Sequence, residues 1–236
     1  MLKTPFILIS KKQLTHDVYE LIYDCPLFDY EGMKSGQYVL FQLAPWLNRA
    51  YSIASYTPQN FTLIIKRIPD GRWSPLICDA PIGTTFSGML PLGHFVLKGT
   101  PVSKCFIGTG TGFAPLYCMM LGCSNFWKLP IDKGGWGDFS PRIAFIFWVR
   151  EFQDVFYSSE IQEIGSQFQD FKYTTYLSRE ENEGYKNWYV TDWILPENIA
   201  KFQEFYLCGS PAMIKSAREK LEVLGIEKER ILWEQF

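Results

Sequence analysis

The segment Arg49–Ser55 (RAYSIAS) brings a fixed cation, an aromatic ring and two hydroxyl groups together within seven residues. A guanidinium suits a phosphate, because its planar fork of N–H groups matches the phosphate oxygens. A phenol ring stacks well on a flat heteroaromatic group. Arg49, Tyr51 and Ser52 could therefore hold a planar, phosphorylated ligand. The alternative is an edge strand with an exposed arginine and a packed tyrosine.

A second candidate is the glycine-rich segment 106–115 (FIGTGTGFAP), which follows a buried strand and opens a helix. Glycines let backbone amides approach a phosphate, and a helix N-terminus favours negative charge. The spacing is G-x-G-x-G rather than the G-x-G-x-x-G of the dinucleotide fingerprint, and many such repeats are plain tight turns. A proline is tolerated here because first-turn amides lack intrahelical partners. The context predicts a pyrophosphate site formed by Gly108, Thr109, Gly110, Thr111, Gly112 and Pro115.

The elements that must position these residues change character along the chain. Up to residue 99, short strand-like runs are separated by turn signals without a strong helical period, which predicts an antiparallel barrel or sandwich. The runs are Pro5–Ser10, Val18–Tyr23, Gln37–Leu43, Phe61–Ile68 and His94–Leu97.

From about residue 100, continuous apolar runs alternate with helical stretches, which predicts a parallel sheet covered on both faces. We therefore predict two domains, residues 1–99 and 100–236. The glycine-containing segment Gly122–Pro141 is interpreted as a long connection that is functional or mobile. The apolar runs are Lys104–Gly108, Ile143–Val149, Tyr173–Leu177 and Phe205–Gly209, with a helix predicted from Asp154.

Composition argues against several functional classes. The chain has 236 residues, 47% of them hydrophobic, which suffices for a full core. Its net charge of −2 gives no electrostatic case for a nucleic-acid partner. No apolar run is long enough to span a bilayer, and the N-terminal MLKTPFILISKKQ is predicted to be a first strand rather than a signal peptide.

The six cysteines are scattered through apolar segments, which suggests reduced thiols and a cytoplasmic protein. Cys118 and Cys123 have the spacing of two iron–sulfur ligands, but no third cysteine follows at the required position. We therefore predict no metal site.

Several motifs, in this order, make the chain resemble the ferredoxin–NADP reductase superfamily of flavoproteins, and the resemblance covers nearly the whole chain. It implies an all-β plus α/β fold, with an N-terminal six-stranded antiparallel barrel that holds FAD. A five-stranded parallel Rossmann-like domain that holds NAD(P)H would follow. The motifs are RAYSIAS, IKRIPDGRWSPLI, PLGHFVL, GTGTGFAP, FIFWVREFQDVFYSSEI, YLSREE, YLCGSPAMI and LWEQF.

The resemblance also implies roles for residues of the flavin site. Arg49 would bind the flavin pyrophosphate, Tyr51 would lie against the isoalloxazine ring, and Ser52 would lie near flavin N5. Lys66 and the turn Gly71-Arg72-Trp73-Ser74 match a second flavin motif, in which the glycine and the serine hold phosphates. A hairpin turn alone would also explain that turn, since Pro-Asp-Gly favours one.

At the nucleotide end, the resemblance puts Cys208 beside nicotinamide C4, and Gly209 gives the ring room. On its own, Cys208 would be interpreted as a small buried hydrophobic residue. Glu234 would help to handle protons, and Phe236 would cover the flavin and move aside for hydride transfer, although Phe236 could equally be a packed chain end. Further nucleotide contacts implied by the same motifs are Arg150, Ser178, Arg179, Lys186 and Met213.

The implied activity is hydride transfer from NADPH or NADH to FAD, and then electron transfer to ferredoxin, flavodoxin or an oxygenase component. One alternative is an NAD(P)H:free-flavin or iron-chelate reductase. Another is a non-enzymatic flavin-binding module whose nucleotide site is blocked, for instance by Trp148, which stands where many members have glycine.

The basic residues near a 2′-phosphate position favour NADPH slightly, although Glu180, Glu181 and Glu183 lie among them. The expected protein is a cytoplasmic monomer. Its partner would be a redox protein or a small electron acceptor, without nucleic acid and without a membrane span.

Overall fold

The computed structural model describes residues 3–28, 30–44, 46–128, 141–187 and 189–235. Its N-terminal part contains β1 (Thr4–Gln13), β2 (Val18–Asp24), β3 (Tyr38–Ala44), β4 (Leu47–Tyr56), β5 (Asn60–Lys66), α1 (Ser74–Cys78) and β6 (Thr85–Leu92). The six strands close into a barrel in the order β1-β2-β5-β4-β3-β6. All pairings within it are antiparallel, which confirms the predicted barrel.

Aromatic side chains fill the interior of this barrel. Alternate residues of a strand point to opposite faces, and on β1 this rule buries Phe6. The Phe6 ring contacts the rings of Tyr23, Phe41 and Phe61 edge-on, with centroids 5.4, 4.8 and 5.3 Å away. Because side chains occupy the interior, a planar ligand of the barrel must bind on its outer surface.

The second half of the chain forms a parallel sheet covered by helices. Five longer strands and one two-residue edge strand lie in the order β10-β9-β8-β7-β11-β12, and every described pairing is parallel. This confirms the predicted parallel sheet. The elements are β7 (Lys104–Thr109), α2 (Phe113–Lys128), β8 (Ile143–Val149), α3 (Ser158–Gly165), β9 (Phe171–Leu177), β10 (Lys186–Asn187), α4 (Val190–Trp193), α5 (Pro196–Ile199), β11 (Glu204–Gly209), α6 (Pro211–Val223) and β12 (Ile231–Gln235).

The structure corrects one of the five predicted strands. His94–Leu97 is not a strand, and β6 completes the barrel instead. Gly88 and Pro91 weaken the strand signal of β6, because glycine and proline are unfavourable inside strands. A side chain at Gly88 would overlap the backbone oxygen of Leu40, so the glycine allows this close strand pairing.

Two further predicted boundaries shift. The predicted connection Gly122–Pro141 begins too early, because α2 continues through Lys128, and residues 129–140 lie outside the described part. Gly122 lets α2 approach the barrel, since a Cβ there would lie 2.6 Å from Ser35 Oγ. The helix predicted from Asp154 begins at Ser158, because a short 3-10 turn occupies residues 152–154.

A buried ion pair fastens the start of the parallel sheet. Lys104 Nζ lies 2.7 Å from Glu204 Oε2, and Thr100 Oγ1 donates to the other carboxylate oxygen at 2.5 Å. Burial would raise the pKa of Glu204, but the hydrogen bonds from Lys104 and Thr100 outweigh it and leave the pKa below its usual value. The Tyr206 hydroxyl accepts a hydrogen bond from Lys98 N at 3.0 Å. The segment that joins barrel and sheet is therefore held by several hydrogen bonds.

Candidate functional site

The strand order of the parallel sheet reverses between β7 and β11. In open α/β sheets, ligands bind beside the carboxyl ends of the strands at such a reversal. A cleft of about 790 Å³ lies at this edge. Its lining includes Thr109 at the end of β7, Val149 at the end of β8, Ser178 after β9 and Gly209 at the end of β11.

Gly110 is the open glycine of the predicted phosphate turn. It lines the cleft and has a left-handed backbone with φ +55°, and a Cβ built on it would meet nothing within 4 Å. Glycine adopts this conformation without the cost that other residues incur. The turn therefore leaves free space in front of Gly110, which is what a bound pyrophosphate needs.

The other glycines of the segment have packing functions. A Cβ on Gly108 would lie 2.8 Å from Leu116 Cδ1, and a Cβ on Gly112 would overlap the backbone oxygen of Cys208. Gly209 has φ +151°, and its Cβ would overlap the Thr109 hydroxyl. These three glycines let β7, β11 and α2 approach one another, so their link to a ligand is indirect.

The helix α6 begins at the same edge of the sheet. Its N-cap Ser210 accepts a hydrogen bond from Met213 N at 3.4 Å, and Ser210 N donates to Thr109 Oγ1 at 3.3 Å. Of the residues predicted to bind a cofactor, Thr109, Thr111 and Met213 line the cleft, whereas Pro115 lies in the first turn of α2 and is not part of the described lining. The two strand ends and the helix start are thus tied together by hydrogen bonds.

The cations of the cleft differ partly from those that the sequence predicts. Arg150 is exposed and lines the cleft. Lys66, predicted at the flavin site, also lines it, and its Nζ lies 2.6 Å from Asp17 Oδ2. Arg179 is not among the described residues that line the cleft, but its backbone N–H donates to Arg150 O at 3.0 Å. Lys186 lies in β10, the two-residue edge strand.

Trp148 forms part of the cleft wall. Its ring stacks on Tyr176 of the neighbouring strand, with centroids 4.5 Å apart and planes 8° from parallel. Only 4% of Trp148 is exposed, so most of the indole belongs to the core. The indole ring of Trp148 is therefore packed into the sheet and leaves the cleft beside it open.

Sequence reasoning missed several residues of the cleft. Tyr189 and Thr191 follow β10, so their position after a strand end was a usable signal. The barrel residues had no such signal, because only the packing of the two halves brings them to the cleft. The missed residues are Asp17, Val18, Val149, Asp154, Phe156, Tyr189, Val190, Thr191, Ser210, Ala212 and Ser216.

Three predicted catalytic residues meet where the barrel adjoins the sheet. Cys208 on β11 pairs in register with Glu234 on β12. The Ser52 hydroxyl, on β4 of the barrel, donates to Glu234 Oε2 at 3.5 Å. Phe236, the fourth predicted residue, lies outside the described residues. The chain thus brings together a hydroxyl, a thiol and a carboxyl group from three strands.

Burial tunes the acids of this group. It raises the pKa of Glu234 to about 7, while the Ser52 hydrogen bond opposes the shift. Burial also raises the pKa of the Cys208 thiol well above its usual value, and the charge of Glu234 adds to this. Glu234 can therefore gain or lose a proton near neutral pH, whereas Cys208 stays a neutral thiol.

The predicted flavin residues form a cationic surface on the barrel. The guanidinium carbons of Arg49 and Arg72 lie 5.3 and 5.7 Å from the ring centroid of Trp73. In the same turn, Ser74 Oγ accepts a hydrogen bond from Ile68 N at 2.9 Å, which leaves its proton for another acceptor. Gly71 also lies in this turn, where its N–H donates to Ile68 O at 2.9 Å.

Tyr51 lies between this surface and the barrel core. Its ring contacts Phe41 edge-on, with centroids 5.5 Å apart. Burial raises the pKa of Tyr51 to about 12, so the phenol is neutral. The tyrosine is half-buried, and it therefore keeps part of its ring available to a ligand.

Two predictions from composition concern thiols and membranes. All six cysteines are buried and free, and Cys118 and Cys123 both lie on α2. Within the described ranges, no helix combines the length and apolar character needed to cross a membrane.

Residues 106–219 match the family described as the oxidoreductase NAD-binding domain. The reductase component of propane 2-monooxygenase from Rhodococcus jostii is 30% identical over 201 residues, which cover 80% of this chain and 51% of that protein. A component of the Na(+)-translocating NADH-quinone reductase from Neisseria meningitidis is 28% identical over 231 residues, which cover 88% of this chain and 53% of that component. The chain spans about half the length of these curated relatives.

One solved structure matches this chain over almost the whole length of both proteins. The crystal structure of a ferredoxin NADP+ reductase from Neisseria gonorrhoeae, with bound FAD and NADP, matches with a TM-score of 0.79. The match covers 99% of this chain and 98% of that one at 17% identity. An identity this low concerns the fold alone.

Proposed function

We propose that this chain is an NAD(P)H-dependent flavoprotein reductase, because its fold is similar to that of a ferredoxin NADP+ reductase and its residues 106–219 match the oxidoreductase NAD-binding domain. It would oxidise NADPH or NADH, reduce FAD and pass electrons to an acceptor. One observation carries this proposal: Ser52 of the barrel meets Glu234 of the sheet, which pairs with Cys208. As part of the proposal, residues 1–99 form the FAD-binding domain and residues 100–236 the nucleotide-binding domain.

The donor groups on the barrel fit the phosphates of FAD. Arg49 and Arg72 supply two cations beside one turn, and Ser74 supplies a hydroxyl. Charge-assisted hydrogen bonds of this kind are the strong ones. Tyr51 offers a neutral ring for a flat heterocycle. When bound, FAD would accept a hydride and release electrons singly, which no amino-acid side chain does.

The cleft fits the pyrophosphate and ribose groups of a nicotinamide dinucleotide. Gly110 leaves space for phosphate, and the start of α6 adds partial positive charge from its free N–H groups. Arg150 supplies a full positive charge. Hydroxyl groups of Thr109, Thr111 and Ser178 complete a polar lining.

The residues between the two sites have complementary tasks. Gly209 lines the cleft at the end of β11, directly after Cys208, so a nicotinamide ring would lie beside its backbone. The neutral Cys208 thiol adds no charge beside a transferred hydride. Ser52 is positioned by its hydrogen bond to Glu234, and the raised pKa of Glu234 lets that carboxyl hold a proton and release it near neutral pH. The protein thus aligns the reactants and handles the proton.

The acceptor and the preferred nucleotide are finer parts of the proposal. The name of the Rhodococcus relative supports an oxygenase component as acceptor, and that of the Neisseria meningitidis relative supports NADH as donor. Arg150 and the hydroxyl of Ser178 favour NADPH. A ferredoxin or a flavodoxin would also be a redox-protein acceptor. We further propose that the protein acts as a monomer in the cytoplasm.

Two alternative functions would require other properties of the flavin site and the nucleotide site. A free-flavin or iron-chelate reductase requires flavin to exchange, and the exposed Arg49 favours this more than a buried arginine would. A non-enzymatic flavin module requires a blocked nucleotide site. The open cleft beside Trp148 argues against it.

Stopped-flow mixing of the FAD-loaded protein with NADPH or NADH under anaerobic conditions tests the proposal. We expect the flavin absorbance to bleach at a rate that saturates with nucleotide concentration, and faster with one nucleotide than with the other. A flavin that stays oxidised with both nucleotides would refute the reductase.

A further inference from the structure

Four side chains that can carry a charge, from both halves of the protein, meet at one edge of the cleft. His16 and Asp17 lie in the turn between β1 and β2, and Lys66 ends β5. Asp154 lies in the loop that follows β8. Asp17, Lys66 and Asp154 line the cleft, whereas His16 lies behind the two aspartates.

His16 lies between two carboxylates that belong to different halves. Its Nε2 is 3.3 Å from Asp17 Oδ2, and its Nδ1 is 3.6 Å from Asp154 Oδ1. Both ring nitrogens thus face acceptor oxygens, and only an imidazolium carries an N–H on each nitrogen. The arrangement fits a cation that joins the barrel to the α/β half.

The other charges around His16 are compatible with this role. Lys66 Nζ lies 2.6 Å from Asp17, which disfavours a metal ion in the cluster although the three possible ligand atoms lie within 4.8 Å of one another. Arg67 and Asp79, which border the same surface, form their own two-pronged pair at 2.8 Å. His16 is therefore the group that links Asp17 to Asp154.

Asp154 shapes the loop that carries Arg150. Its Oδ2 accepts a hydrogen bond from Glu151 N at 3.1 Å, and its own N–H donates to Glu151 O at 3.0 Å. Three residues further on, Tyr157 has a left-handed backbone with φ +59° and donates its hydroxyl proton to Glu20 on β2. The barrel therefore holds this loop at two points, at Asp154 in the 3-10 turn and at Tyr157 after it.

We propose that His16 is a positioning residue for nucleotide binding. By joining Asp17 to Asp154, its imidazolium holds the loop 150–154 at the spacing from the barrel that the nucleotide requires. This inference rests on the proposed function, because it takes the cleft to be the NAD(P)H site. His16 acts through Asp154, so its loss changes the affinity for nucleotide and leaves turnover at saturation unchanged.

The expected effect is small, because half of the His16 side chain is exposed and surface ion pairs are screened by solvent. Removing the charge should weaken nucleotide binding about three- to fivefold, in line with the energies of partly exposed pairs. A purely structural role would instead lower thermal stability and turnover together.

The experiment is a titration of the FAD-loaded protein with NADP+ and NAD+, combined with steady-state kinetics. His16→Gln removes the charge, His16→Lys restores a cation, and His94→Ala is the control at the other histidine. We expect His16→Gln to raise Kd and KM without changing kcat, and we expect His16→Lys and His94→Ala to behave like wild type. An unchanged Kd in His16→Gln, or a failure of His16→Lys to restore affinity, would overturn the inference.

A double-mutant cycle tests whether His16 acts through Asp154. Asp154→Asn keeps an oxygen that accepts from Glu151 N but removes the charge. The double variant His16→Gln/Asp154→Asn should bind no more weakly than the weaker single variant, because coupled residues are not additive. Additive losses would overturn the mechanism. If wild type bound neither nucleotide, the proposed function itself would fail, which separates the two results.

Discussion

The two surfaces that we propose for phosphate groups differ in what they offer: side chains on the barrel and backbone on the sheet. On the barrel, Arg49 and Arg72 project exposed guanidinium groups around Trp73. On the sheet, the turn at Gly110 offers open space and backbone amides, with Arg150 at the rim. A site formed by side chains loses affinity for phosphate when a charged side chain is removed. A site formed by backbone loses it when an added side chain fills the space.

The contrast also extends to what each surface contributes to the fold. The two arginines lie outside the aromatic core of the barrel, so their removal leaves its packing intact. The neighbours of Gly110 are part of the packing, since Gly112 fits against the backbone of Cys208. The two sites should therefore respond to opposite kinds of substitution.

Gly110→Val should have the largest effect on ligand binding. Valine resists φ +55°, and its side chain would occupy the space in front of the turn. We expect nucleotide affinity to fall by at least about 100-fold, or about 2.7 kcal/mol, with flavin content unchanged. Gly225→Val is the matched control, because Gly225 also has an open position and φ +86° but lies outside the cleft. Equal affinities in wild type and both variants would remove the turn from the nucleotide site.

Arg49→Ala should have the next largest effect, on the flavin only. A hydrogen bond to a charged group contributes about 2 kcal/mol, so we expect FAD affinity to fall about 30-fold. Nucleotide binding should stay unchanged. Equilibrium dialysis with FAD measures the loss, and Arg67→Ala is the control, since Arg67 pairs with Asp79. The same FAD content in Arg49→Ala as in wild type would show that the barrel surface is not the phosphate site.

Glu234→Gln tests the point where the two surfaces meet. Burial raises the pKa of Glu234 from 4.5 to about 7, so the folded protein holds a proton that the unfolded chain releases. Wild type should therefore lose stability as the pH rises from about 4.5 to about 7, by about 1–2 kcal/mol because the carboxyl is only partly buried. Glu234→Gln should lose less over that window. Urea unfolding at a series of pH values measures this, and identical slopes would contradict a buried acid.

Arg72→Ala should have the smallest effect. Its guanidinium is exposed, and an exposed ion pair with a phosphate contributes up to about 1 kcal/mol. We expect FAD affinity to fall about three- to fivefold, less than in Arg49→Ala. Losses of the same size in both variants would mean that the two arginines share the phosphate contact equally. The dialysis assay for Arg49→Ala gives the comparison directly.

The local signals of the sequence were sufficient for much of the fold. Continuous apolar runs predicted the parallel strands, and the strand–glycine–helix order predicted a pyrophosphate site at a turn that lies in the cleft. The strand β6 was missed because Gly88 and Pro91 hide it, and only the pairing with β3 makes those residues acceptable.

The composition of the cleft was predictable only in part. Thr109, Arg150, Ser178 and Gly209 follow from the strand ends, but Asp17 reaches the cleft only when the barrel packs against the sheet. Sequence also assigned similar roles to all the glycines of the turn. In the structure these glycines differ in the atoms that an added Cβ would contact. Those atoms belong to segments that are distant in the sequence, such as the backbone at Cys208.

Motif resemblance identified residues that meet from distant parts of the chain. Ser52 and Glu234 are 182 positions apart and yet are hydrogen-bonded. No periodicity or spacing in the sequence relates them. Their pairing depends on β12 lying beside β11 and on the barrel adjoining that edge.

The central claim is that one chain carries both sites and joins them at Ser52 and Glu234. The most direct test is the rate at which excess NAD(P)H bleaches the flavin anaerobically, measured over a wide range of protein concentrations. We expect a rate constant that is independent of protein concentration, with one flavin reduced per chain. A rate constant that rises in proportion to protein concentration would contradict it, because flavin and nucleotide would then be brought together by different chains.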